Sequence, residues 1–124
     1  MQRYGMVIGL RAEKLAEYKK LHGAVWPTVL KMIRRCHIRN YSIYLRRLAG
    51  RHYLFSYFEY TGTNFKADMA KMAADPTTQR WWAVCMPCQV PLPDRPHGEW
   101  WASMEEVFHT DGALKKQRQG RTGR

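Results

Sequence analysis

The fold this sequence predicts is an α+β domain of the split-βαβ, ferredoxin-like kind, with the element order β-α-β-β-α-β. Three observations predict it. Residues 2–10 alternate in polarity, which is the period of a strand with one buried face. Two runs rich in β-formers, 38–46 and 52–60, lie close enough to pair as a hairpin. Amphipathic helical stretches separate the first strand from this hairpin and the hairpin from the last strand.

In the first strand Tyr4, Met6, Ile8 and Leu10 share one side, with Arg3, Gly5, Val7 and Gly9 opposite. From Glu13 to about Leu21 the chain reads as a helix, with Leu15, Tyr18 and His22 along one stripe. Gly23 weakens that helix. Trp26-Pro27 opens a second, because proline is tolerated in a first turn. Val29, Leu30, Ile33 and Cys36 give it an apolar face.

Ile38, Tyr41, Ile43 and Tyr44 mark the second strand, and Ala49-Gly50 a turn. The third strand, 52–60, is the most aromatic. Thr63-Asn64 can cap a helix that runs to Ala73-Ala74. Asp75-Pro76 breaks it, and Thr77 to about Val84 forms another. Residues 87–98 carry Pro87, Pro91, Pro93, Pro96 and Gly98, so an extended loop is expected. Met104 to Phe108 is the expected final strand.

Helices in this arrangement cover one face of a four-stranded antiparallel sheet. The third strand nevertheless has large apolar residues at both parities: Tyr53, Phe55 and Tyr57 against Leu54 and Phe58. A sheet with two apolar faces needs a second cover. A homodimer packed sheet to sheet would supply it. A single domain over residues 1–111 is expected, with 112–124 a basic, disordered tail.

Composition narrows the function. There is no run of about 18 apolar residues, so no transmembrane helix is expected. The N-terminus enters its strand directly, without a secretory h-region, which predicts a cytoplasmic protein. Net charge is +11, but five basic residues between Ala113 and Arg124 account for part of it, leaving +6 elsewhere. The remaining basic residues are dispersed, so nucleic-acid binding is disfavoured. A non-catalytic basic binding module stays as an alternative, and it would bind DNA or RNA with steep salt dependence.

Three cysteines without a secretory signal argue against a disulfide framework. Cys85-Met86-Pro87-Cys88 has the spacing of a redox or zinc half-site. It has no second Cys-x-x-Cys to complete a zinc site, and it ends a helical pattern rather than starting one. Ordinary thiols are the expectation, with no metal.

The residues that carry chemistry are Tyr18, His22, Tyr41, Trp81 and Trp82. Tyr18 and His22 share a helix face. An imidazole that titrates near neutrality, phenol hydroxyls and flat indoles suit a small sugar and proton transfer on it. There is no phosphate loop, nucleophile elbow or metal cage.

Four stretches resemble the L-rhamnose mutarotase family: Tyr18-x-x-x-His22-x-x-x-Trp26-Pro27, Asn40-Tyr41-Ser42-Ile43-Tyr44, Gln79-Arg80-Trp81-Trp82 and Met104-Glu105-Glu106-Val107-Phe108. They span about residues 1–111. The resemblance implies a dimeric α+β barrel and interconversion of the α and β anomers of L-rhamnose, with no cofactor or metal. It implies His22 as the catalytic acid and Tyr18, Tyr41, Trp81 and Trp82 as sugar contacts. The second proton-transfer group stays open between Tyr18, Tyr41 and a bound water.

Shorter family members lack the long loop through Pro91–Gly98. That loop is expected over the pocket mouth, which leaves fucose or another 6-deoxy-sugar as alternative substrates. Another enzyme on the same barrel, such as a small monooxygenase, is the competing activity. Trp100-Trp101 reads as a structural or loop-anchoring pair, Trp26 and Asn40 as scaffold, and one of Glu105 and Glu106 as the partner of a nearby arginine. His37, His52, His97 and His109 read as surface or strand-end residues.

Overall fold

The computed structural model describes residues 1–111; the basic tail expected at 112–124 lies outside the described residues. The elements are β1 (Gln2–Leu10), α1 (Leu15–His22), α2 (Pro27–Arg35), β2 (Ile38–Leu48), β3 (Arg51–Tyr60), α3 (Phe65–Ala74), α4 (Pro76–Cys85), β4 (Gln89–Val90) and β5 (Ala102–Met104). Short 3-10 turns precede α1 and follow α4. No helix among the described residues is long and apolar enough to cross a membrane.

The sheet order is β2-β3-β1-β4, with β5 also on β1, and every pairing is antiparallel. This is the expected ferredoxin-like sheet with its fourth strand divided. β4 pairs with Gly9 and Leu10, and β5 with Gly5, Met6 and Val7. Two expectations are corrected here. The loop expected over 87–98 contains a strand at Gln89–Val90. The final strand lies at Ala102–Met104, not Met104–Phe108. The β-formers that suggested the latter, Val107 and Phe108, are 87% and 69% exposed. Beyond Met104, Glu106 grips Arg3 with two bonds of 3.0 Å instead of extending the ladder.

Local chemistry explains the joints. Ala49 and Gly50 both take positive φ, +50° and +79°, as a two-residue hairpin turn requires. The Asn64 side chain accepts the Ala67 N–H at 3.1 Å and caps α3. Asp75 caps α4 by accepting the Thr78 N–H at 2.9 Å and its hydroxyl at 2.8 Å. Those bonds hold the Asp75 carboxyl below its ordinary range.

One sheet face is packed under helices. Ile8 is opposite Leu54, Met6 opposite Ser56 and Tyr4 opposite Phe58. Ile8, Leu10, Leu54, Tyr18, Val29, Trp81, Cys85 and Cys88 form one core cluster, and Cys36, Ile38, Phe58 and Met72 a second. By register the other face carries Val7, Phe55, Tyr57 and Tyr44, and Tyr44 is 65% exposed.

Candidate active site

Four elements and one connecting segment build one cleft between helices and sheet. α1 contributes Tyr18 and His22, β2 contributes Tyr41 and Ile43, and α4 contributes Trp81, Trp82 and Cys85. Gln89 of β4 and the Trp100-Trp101 pair before β5 complete it. The cavity holds about 120 Å³. A neighbouring hollow of about 330 Å³ shares His22, Tyr41, Ile43 and Trp81 with it and adds Val25, Leu30 and Ile33. All five residues expected from the sequence are therefore brought together.

Their placement follows from the chain. Four-residue spacing stacks the Tyr18 and His22 rings, with centroids 4.1 Å apart and planes at 22°. Trp81 meets His22 edge-on at 5.3 Å and Trp26 at 5.1 Å, so Trp26 buttresses the wall, as its scaffold reading expects. Trp81 is nearly buried, whereas Trp82 is 37% exposed. Neighbours on a helix point about 100° apart, and that separation gives the two indoles different surroundings.

Tyr41 reaches the cleft through a bulge. β2 pairs in register at Arg39–Glu59 and resumes at Ser42–Tyr57, so Asn40 and Tyr41 together oppose Phe58. Asn40 takes φ +52° there, and its amide donates to Glu59 at 2.6 Å. Asparagine tolerates that left-handed conformation better than most residues. The extra residue turns the Tyr41 ring onto the helix-covered face, 5.5 Å from the Phe58 ring.

The electrostatics separate the titratable groups. Burial lowers the His22 pKa from its ordinary value, opposed by a bond to the Tyr18 carbonyl. His22 Nδ1 lies 3.0 Å from that carbonyl oxygen. A carbonyl only accepts, so Nδ1 carries the hydrogen and Nε2 of the neutral ring keeps its lone pair. Burial pushes the Tyr18 phenol up, opposed by a bond from Gln89. Desolvation likewise raises the Cys85 thiol to about 12 and shifts the Tyr41 phenol in the same direction, although Tyr41 keeps 41% of its surface exposed. All three cysteines are free and buried, and such thiols stay protonated, in line with the ordinary-thiol reading. Among the described residues no cluster of three or more histidines, cysteines or carboxylates is placed to hold a metal.

A family model described as L-rhamnose mutarotase matches residues 3–110. The chain belongs to the L-rhamnose mutarotase family. The L-rhamnose mutarotase of Oceanobacillus iheyensis is 30% identical over 90% of this chain and all of its own length. That of Mannheimia succiniciproducens is 31% identical over the same shares. Among solved structures, the L-rhamnose mutarotase of Formosa agariphila superposes with a TM-score of 0.66 at 20% identity, covering 88% of this chain and 98% of its own. Tetracenomycin F2 cyclase from Streptomyces glaucescens, at 12% identity and a TM-score of 0.57, covers 88% of this chain and 96% of its own. At such identities these two likenesses speak for the fold alone.

Within this mutarotase-family chain, several cleft residues escaped the sequence reading, Gln89, Trp100 and Trp101 among them. Gln89 sits in a two-residue strand between Pro87 and Pro91, too short to show a period. Trp100 does anchor its loop, donating from Nε1 to Gln89 Oε1 at 2.7 Å, but it and Trp101 also line the cleft. The loop expected over the pocket mouth lies elsewhere. Pro91, Leu92 and Pro93 line a separate hollow of about 310 Å³ with Gly9, Arg51 and His52. Residues 91–98 do not border the cleft.

Proposed function

We propose that this chain interconverts the α and β anomers of L-rhamnose as a cofactor-free aldose mutarotase. Family membership supports the reaction. The observation that carries the mechanism is the bond between His22 Nδ1 and the Tyr18 carbonyl, which leaves Nε2 as the basic nitrogen.

Ring opening requires that the anomeric hydroxyl lose its proton as the ring oxygen gains one. Neutral His22 takes the anomeric proton at Nε2. The C1–O5 bond breaks, C1=O1 forms, and a donor protonates O5. The aldehyde then rotates about C1–C2. On closure O5 returns its proton, attacks C1 from the other face, and the His22 imidazolium protonates O1. His22 is thus base in one half and acid in the other. The acid role implied by resemblance is its second half. Such groups contribute about 10²–10⁴-fold, enough for a reaction that already runs slowly in water.

Tyr18, Tyr41, Trp81 and Trp82 hold the sugar. The exposed Trp82 suits a stacking wall for a C–H face, and the neighbouring apolar hollow of Val25, Leu30 and Ile33 suits the C6 methyl. L-Rhamnose is favoured over fucose because the loop that motivated another sugar does not border the cleft.

A homodimer belongs to the same proposal. The uncovered sheet face and the exposed Val107 and Phe108 support it. A cytoplasmic location, where free sugar would meet the enzyme, is likewise part of the proposal. Saturation-transfer NMR on equilibrated L-rhamnose tests the activity. Exchange between anomers above the rate in buffer is expected. Silence on rhamnose with acceleration of fucose would reassign the sugar, and silence on both would refute the activity.

A further inference from the structure

A buried relay outside the residues expected to touch the sugar sets the direction of one hydroxyl. Trp100 Nε1 donates to Gln89 Oε1 at 2.7 Å, and Gln89 Nε2 donates to the Tyr18 hydroxyl at 3.2 Å. An indole N–H can only donate, so the atom it meets must be the amide oxygen. The amide nitrogen then faces Tyr18, and the phenol oxygen must accept. Gln89 is 6% exposed and Tyr18 4%, so water does not compete freely for these bonds. No other hydrogen bond among the described residues takes the Tyr18 hydroxyl's own proton. Tyr18 lines the cleft beside His22.

We propose that Gln89, held by Trp100, is a positioning residue that makes the Tyr18 hydroxyl a one-way donor into the cleft, aimed at the sugar oxygen that gains a proton on ring opening. This rests on the mutarotase reading. It resolves the open choice of second group: Tyr18 gives its proton to O5 as C1–O5 breaks, and O5 returns it on closure, so protons balance over the cycle. The raised phenol pKa agrees, because the group stays protonated and able to donate across the neutral range. Gln89 touches no reacting atom; it acts through Tyr18.

Gln89→Glu tests this. The carboxylate still accepts from Trp100 and has nearly the same shape. It can only accept from Tyr18, so it captures the hydroxyl's proton and turns the lone pairs to the sugar. Anomer exchange should fall at least about tenfold at high pH. Protonated, the same side chain accepts from Trp100 through C=O and donates to Tyr18 through O–H, as glutamine does. The ratio of variant to wild-type rate, followed from about pH 9 to about pH 5, should therefore recover as the carboxyl titrates. A merely structural role would give no such recovery.

The second readout is coupling. In a Tyr18→Phe background, Gln89→Glu and Trp100→Phe should each lower the anomer-exchange rate by a clearly smaller factor than they do when Tyr18 is present. Trp100→Phe keeps this test available if Gln89→Glu fails to fold. A Gln89→Glu enzyme that is as fast as wild type at every pH would overturn the inference. So would a loss that persists unchanged in the Tyr18→Phe background. A wild type silent on rhamnose would instead overturn the mutarotase reading, and this inference with it.

Discussion

Asn40 touches neither His22 nor the indoles, yet the cleft depends on it. It sits at φ +52° in the bulge that turns Tyr41 onto the helix-covered face. A β-branched residue in that conformation is strained by about 1–2 kcal/mol, whereas glycine adopts it freely. Asn40→Val is therefore expected to lower stability by about 1–2 kcal/mol, a fall in Tm of roughly 4–8 °C for a domain of this size. Removing the bulge relieves the strain, and a one-residue slip reverses every side chain beyond it. Tyr41 then leaves the cleft. Asn40→Val should lose most of its rhamnose exchange. Asn40→Gly lacks the same bond to Glu59, at 2.6 Å, but permits the bulge, and should keep most of it. Thermal melts and NMR exchange on the pair decide the matter. Equal activity in the two variants would refute the reasoning, because the bulge would not then be what places Tyr41.

Other consequences can be checked alongside. Ile8 is wholly buried opposite Leu54, so Ile8→Ala should cost about 2–5 kcal/mol in urea unfolding; an unchanged midpoint would contradict the core described. Burial holds the His22 pKa below the ordinary imidazole value of about 6.5. The neutral base thus survives as pH falls past about 6.5, and the acid limb of kcat/KM should lie lower. Stability has the same sign: the unfolded chain binds this proton first, so the contribution is full above about 6.5 and lost as pH falls through the folded-state value. An acid limb above about 6.5 would show that His22 is not desolvated.

How far the sequence reveals this molecule depends on the length of each signal. Nine residues of alternation announce β1, and the aromatic run of β3 needs no tertiary information. Tyr18 and His22 are legible as a pair because helical spacing makes neighbours of them. Tyr41 is legible as a residue but not in its direction, since strict alternation from Ile38 would put it on the opposite face; only the bulge at Asn40 corrects that. Gln89 is hidden because two residues of strand carry no period, and its partner Trp100 is eleven residues further along an irregular path. Val107 and Phe108 look like strand residues because both are apolar β-formers, yet both are exposed and the last strand ends at Met104.

The central claim is that His22 moves the anomeric proton in this cleft. Exchange between the α and β anomers of L-rhamnose, measured by saturation transfer with wild type and His22→Ala at matched concentration, tests it most directly. The account predicts acceleration by wild type and its loss in a variant that still melts cooperatively. Undiminished acceleration by a folded His22→Ala protein would contradict it.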